Sequence, residues 1–171
     1  WREHGGGRVN SGATPIGDLW PSPRSRHACT ASGLRMFCFG GGMVSGGPSP
    51  TQATMDAMGD LWAYTPPPPP ERSGDCFDRS ADPGEWSLLA PAADAAPHGR
   101  FDHSLVAVRR AGADGDQSEA ALVVFGGTAR RVVGAAQTAD AAEVEFDDVW
   151  YGVVDLGAAL VAWRQVFPAE G

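Results

Sequence analysis

The chain contains no lysine: all thirteen of its positive charges are arginine. That excludes a Schiff-base lysine, the lysine of a phosphate-binding P-loop and any other chemistry that needs a side-chain amine. Tyrosine occurs only at Tyr64 and Tyr151, and asparagine and isoleucine once each, against abundant Ala, Gly, Pro and Arg, the bias of a GC-rich coding sequence. Cysteine is scarce too. Cys29, Cys38 and Cys76 stand at no metal-ligand spacing, and an odd count suits a reducing compartment better than a disulfide scaffold. No apolar run approaches the ~18 residues of a membrane span. The chain starts at Trp1 without a methionine, so the lack of a targeting segment carries no information. With 21 acidic residues the net charge is −8 and the isoelectric point about 4.8. Such a surface repels phosphate backbones, whose binding relies on basic side chains releasing counterions, so neither nucleic acid nor membrane insertion is expected.

What is present is a repeat. At 171 residues and 43 % hydrophobic, the chain has the size of one domain burying roughly two-thirds of its unfolded surface. Two copies of four landmarks lie along it in the same order. The first runs Arg24-Ser25-Arg26-His27, Met36-Phe37-Cys38-Phe39-Gly40-Gly41, Asp60-Leu61-Trp62 and Trp86-Ser87-Leu88-Leu89. The second runs Arg100-Phe101-Asp102-His103, Leu122-Val123-Val124-Phe125-Gly126-Gly127, Asp148-Val149-Trp150 and Trp163-Arg164-Gln165-Val166. Each landmark borders a short β-branched or aromatic run bounded by turn residues, which predicts four strands per copy and an all-β chain. The Ala-rich stretch 129–142 is the one place that tolerates a helical turn. Ten extra polar residues, AGADGDQSEA at 111–120, fit a longer hairpin loop, and TPPPPP at 65–70 reads as a stiff polyproline spacer.

These landmarks, R-x-x-H, apolar-F-G-G, D-[LV]-W and W-x-x-[LV], resemble the kelch repeat over about 24–166. The resemblance implies a partial kelch-type β-propeller: a four-stranded antiparallel blade at 24–89, a connection at 90–99 and a second blade at 100–171. Residues 1–23 hold the last strand of a preceding blade, at Trp1-Arg2-Glu3, and an inter-blade loop containing Trp20. The copies stand 76–88 residues apart, where a plain kelch unit has about 50, and the second has Gly152 where the first has Tyr64. Because a propeller typically closes with about four to eight blades, two blades imply a segment of a longer array or a part completed by another chain.

The diglycines Gly40-Gly41 and Gly126-Gly127 close the second strand, where a residue without Cβ can take positive φ or admit a neighbouring backbone. They open no helix pattern and precede no lysine, so a phosphate loop is rejected. Trp62, Trp150, Trp86 and Trp163 are expected to fill the wedge between blades, and Asp60 and Asp148 to hold turn backbone. His27 and His103 read as structural: neighbours on a strand point to opposite faces, so Asp102, His103 and Ser104 cannot form a triad among themselves. Arg24, Arg26, Arg100, Arg130 and Arg131 fall on one face of the meander. With Trp20, Met43 and Phe101 as apolar anchors they make a candidate partner-binding face for carboxylates or acidic peptides; the other reading is solvated loop charges or blade-bracing ion pairs, which suits Arg24 and Arg100 best because they recur.

The resulting expectation is a non-enzymatic scaffold without cofactor or metal, docking other protein chains or the rest of its own propeller in an intracellular, cytoplasmic complex, with cytoskeletal or ciliary association among the settings the resemblance implies. The alternative is the propeller of a metal-dependent enzyme of the galactose-oxidase or specifier type. A third reading is carbohydrate binding through exposed tryptophans.

Overall fold

The computed structural model of the chain describes residues 20–46, 53–67, 84–109, 120–131 and 142–167. The expected strand at Trp1-Arg2-Glu3 lies outside them. Among the described residues there is no helix, and twelve strands carry the fold; no helix is long and apolar enough to cross a membrane.

Four strands make a first antiparallel meander: β1 (Ala28–Ser32), β2 (Arg35–Phe39), β5 (Leu61–Thr65) and β6 (Glu85–Pro91). A second meander repeats it with β7 (Ser104–Arg109), β8 (Ala120–Phe125), β11 (Val149–Asp155) and β12 (Leu160–Phe167). The meanders join at one margin through a short parallel pairing of β12 with the end of β6, Leu160 opposite Ala90 and Val161 opposite Pro91. At the other margin β1 lies beside β7, where the Ala107 amide donates to Thr30 Oγ1 at 3.1 Å. The eight strands thus form a nearly closed, barrel-like sheet.

In each repeat the connection between the second and third strands rises as a two-stranded ribbon, β3 (Gly42–Gly46) with β4 (Ala53–Ala57) and β9 (Thr128–Arg131) with β10 (Ala142–Glu145). This corrects the tolerance for a helical turn over 129–142: its two ends are paired strands, and 132–141 lie outside the described residues. Alanine content favours a helix only where nothing competes. Here Phe101 and Thr128 exchange both backbone hydrogen bonds, at 2.9 and 2.8 Å, which commits the start of the segment to extended pairing.

The two meanders match position for position. Across the first, Cys29, Cys38, Trp62 and Leu88 stand in one row and Ala31, Met36, Tyr64 and Trp86 in the next. Across the second the same rows read Leu105, Val124, Trp150, Gln165 and Ala107, Leu122, Gly152, Trp163. In the second meander this indole-bearing face is buried against the opposite face of the first, where Phe37, Phe39, Leu61, Ala63 and Leu89 complete one core. The Phe39 ring lies 5.9 Å from the Trp163 indole.

Gly152 has a packing reason. A Cβ there would stand 2.5 Å from the Trp163 ring, so the missing side chain lets the indole lie against the sheet. At the equivalent place in the first meander, Tyr64 instead stands beside Trp86 with ring centroids 5.1 Å apart. Trp150 and Trp163 therefore fill the space between the sheets, while Trp62 and Trp86 occupy the same positions on the far face of the first sheet.

Cys29 and Cys38, directly opposite in β1 and β2, are joined as a disulfide. The odd cysteine count suits a reducing compartment better than a disulfide scaffold; strand register nonetheless brings the Cα atoms of two of the cysteines to 4.1 Å, and they are bonded. Cys76 lies outside the described residues.

Candidate functional site

The repeat landmarks converge at the edge of the sheets from which the ribbons rise, and a side-chain bracket organises each copy there. Arg24 Nη1 and Nη2 donate to Asp60 Oδ1 and Oδ2 at 2.6 and 2.8 Å. Arg24 Nη1 also donates to the Gly40 carbonyl at 3.0 Å, and Nε to the Ser22 carbonyl at 3.1 Å. The Trp62 indole N–H donates to Asp60 Oδ2 at 2.6 Å. The second copy repeats every contact: Arg100 to both oxygens of Asp148 at 2.5 and 2.9 Å, to Gly126 O at 2.9 Å and to His98 O at 3.1 Å, and the Trp150 indole to Asp148 at 2.7 Å. A planar guanidinium fork is needed for this, since a point-charge amine could not span both carboxylate oxygens and a carbonyl.

Burial alone would raise the pKa of each aspartate. The Arg fork and the indole N–H outweigh it and hold both Asp60 and Asp148 below the ordinary carboxylate value. Each aspartate takes a backbone hydrogen bond from its own residue, as a turn-holding carboxylate does, and in addition ties the connection before the first strand to the tryptophan of the third.

The diglycines supply the space for this convergence. Gly40 and Gly126 have φ near +64° and +63°, and Gly41 and Gly127 near +91° and +98°. A Cβ on Gly41 would meet His27 Cβ at 2.8 Å and Ser25 O at 2.8 Å; on Gly127 it would meet His103 Cβ at 2.7 Å and Phe101 O at 2.8 Å. The histidine of R-x-x-H thus packs its Cβ on the second glycine in both copies. His103 is buried edge-on to Phe39 at 5.3 Å, and its ring nitrogens have no hydrogen bond of good geometry. Burial, reinforced by the Arg100 charge, pushes its pKa down to about 4. His27 is exposed.

Between the brackets, Arg26 and Asp102 occupy equivalent repeat positions and both hold left-handed backbone, φ 60° and 56°. Such φ values are uncommon for residues with a side chain. The pair is joined across the two sheets: Arg26 Nε donates to Asp102 Oδ1 at 3.0 Å, the Asp102 amide donates to the Arg26 carbonyl at 3.1 Å, and the guanidinium stands 4.8 Å above the Phe101 ring.

The candidate partner-binding residues therefore separate. Arg24 and Arg100 are spent on the brackets, Arg100 being fully buried and covered by the Phe146 ring at 4.1 Å. Phe101 is buried, and Arg26 is exposed but paired. Trp20 lies outside any strand and is 57 % exposed. Met43 and Val44 on β3 are exposed as well. Arg130 and Arg131 lie on β9 opposite Glu143 and Ala142; their side chains fall outside what is described. The sequence reading weighed Asp102 only as a triad member and gave it no ion-pair role, and it did not single out Phe146, on which His98 stacks at 6.3 Å. The one available signal was the order Arg, Asp-x-Trp, present in both copies, which pairs a fork with a carboxylate.

The chain matches no protein-family model and no curated protein.

Proposed function

We propose that the chain is part of a kelch-type β-propeller acting as a non-enzymatic docking scaffold, with the ribbon edge as its partner-binding face. The observation that carries this reading is the doubled bracket: two sister sheets hold the same Arg–Asp–Trp and glycine geometry, and each lifts a ribbon from the same edge, Ser25 bridging Gly42 and Phe101 bridging Thr128. Rigid repeats that raise variable connections on one side are the form in which folds present binding loops.

With Arg24, Arg26 and Arg100 engaged internally, the reading narrows to Trp20, Met43 and Val44 as apolar anchors and Arg130 and Arg131 as the cations. The partner is a protein segment that places apolar residues on the former and acidic residues against the latter. A cytoplasmic setting is retained as part of the proposal only together with a protected Cys29–Cys38 bond, since such bonds persist chiefly in oxidising compartments.

The test compares partner recovery from the source cell on wild type, on the double variant Arg130→Glu with Arg131→Glu, and on Leu34→Glu at the exposed β1–β2 turn. Recovery lost on the double variant and kept on Leu34→Glu supports the face. Equal recovery on all three overturns it.

A further inference from the structure

Every arginine side chain described is engaged except that of Arg35. Arg24 and Arg100 serve the brackets, Arg26 pairs with Asp102, and Arg164 stands over the Tyr151 ring at 5.0 Å. Arg35 opens β2 on the face that carries Phe37 and Phe39 into the core, and its Nε–H is shut off from water with no hydrogen-bond partner. The repeat does not call for an arginine there, since the register counterpart in the second sheet is Ala121. A cationic donor taken out of water without a partner is costly to keep, and such a group in a native fold asks for a reason. Arg35 lines a cavity of about 610 Å³ at the edge of the sheets opposite the ribbons, a volume within the range of small-molecule sites. Among the described residues its walls include Ala92, beyond β6, and Val154, Asp155, Leu156 and Leu160 around the β11–β12 turn. Asp155, the acid of this cavity, does not neutralise Arg35. No ion pair joins the two, and Asp155 Oδ1 instead accepts the Ala158 amide at 3.0 Å within the turn.

We propose that this cavity binds a small monocarboxylate with an aliphatic body, its carboxylate held by the Arg35 guanidinium. With Nε sealed, the ligand is met end-on by the two Nη groups, a planar fork that matches two carboxylate oxygens. The aliphatic walls take the body of the ligand. Asp155 sets the charge limit: one anionic group balances Arg35, whereas a phosphate dianion would also meet a carboxylate of like sign. The site stands at the edge away from the ribbons, so it does not depend on their binding a partner.

The experiment is a proton–nitrogen NMR titration of the whole chain at constant ionic strength, with isocaproate as the probe, isocaproamide as its uncharged isostere and inorganic phosphate as the dianion. Isocaproate is expected to bind with a Kd of about 1 mM, the strength open to so small a ligand, and to shift the Arg35 Nε–H and the amides of the turn at 155–160. Isocaproamide and phosphate are each expected to bind about tenfold more weakly or not at all. Arg35→Met keeps an apolar stem against the core, and it is expected to weaken isocaproate binding by about tenfold or more. Asp155→Asn keeps an oxygen for the Ala158 amide and removes a like charge, so isocaproate is expected to bind it about twofold tighter or more. The comparison of isocaproate with isocaproamide uses wild type alone and decides the matter whether or not a variant folds. No saturable shift at this turn up to roughly 20 mM isocaproate overturns the proposal. So does equal affinity for the amide or for phosphate, a folded Arg35→Met that binds as wild type does, or a folded Asp155→Asn that binds no tighter.

Discussion

The two sheets carry the same bracket in different surroundings. In the first, the side chains of Arg24 and Asp60 are 7 % and 31 % exposed; in the second, those of Arg100 and Asp148 are 0 % and 12 %. The bracket contacts recur, so the difference lies in what covers them: the Phe146 ring of the second repeat stands 4.1 Å over Arg100, and the first sheet lies against the same place. The second bracket has the first sheet beside it: the Gly41 amide donates to the Arg100 carbonyl at 2.8 Å, and the Arg100 amide to the Met58 carbonyl at 3.0 Å. The first bracket has no described sheet in that position. Of the two ion pairs, the one with a described sheet beside it is the more deeply buried, the contrast being larger at the aspartate than at the arginine.

The largest effect that sharpens this contrast comes from deleting the carboxylates one at a time. Asp148→Ala leaves Arg100 buried with no counter-charge and is expected to cost about 3–5 kcal/mol. Asp60→Ala leaves Arg24 closer to water and should cost about 1–2 kcal/mol. Urea denaturation midpoints measure both; equal losses would erase the asymmetry.

Next comes pH. His103 titrates near 4 in the fold against 6.5 when unperturbed, so the unfolded chain takes up the proton first. Its contribution is expected to be complete above about pH 6.5, to fall as pH drops to about 4 and to level off below, by at most about 3 kcal/mol. Asp60 and Asp148, both depressed, stabilise above 3.8 and lose that contribution only as pH falls further, which separates the two windows. His103→Phe should remove the upper window and leave the lower one, read from unfolding curves at stepped pH.

Gly41→Ala and Gly127→Ala test sameness rather than difference. Both place a Cβ within 2.8 Å of backbone oxygen and histidine Cβ at positive φ, so each should cost roughly 2–3 kcal/mol. Gly33→Ala, in open space at φ 59°, should cost only about 1 kcal/mol. A comparably small effect is expected at the one row where the sheets differ covalently. Leu105 and Val124 stand where Cys29 and Cys38 are bonded. Replacing the cysteines by Cys29→Leu with Cys38→Val should cost no more than about 2 kcal/mol, because the loop the bond closes is short and already held by strand pairing.

Strand content and the order of landmarks were legible in the sequence because they depend on neighbours: apolar runs, glycine pairs and tryptophans a fixed step from aspartate. What was hidden depends on partners far along the chain. Recurrence marked Arg24 and Arg100 as candidates for bracing ion pairs as well as for an outside carboxylate, but not which acid they pair with: their carboxylates sit 36 and 48 residues away in the same repeat. The ribbons were hidden for the same reason, each strand being defined by a mate across an insertion. Gly152 looked like a lost tyrosine until the indole lying over it was seen.

The account stands on the Phe39 face of the first sheet packing against the indole-bearing face of the second. Nuclear Overhauser spectroscopy of the aromatic rings tests that contact directly. The account expects cross-peaks from the Phe39 ring to both the Trp163 indole, at 5.9 Å between centroids, and the His103 ring, at 5.3 Å. A folded chain in which Phe39 shows neither cross-peak would contradict it.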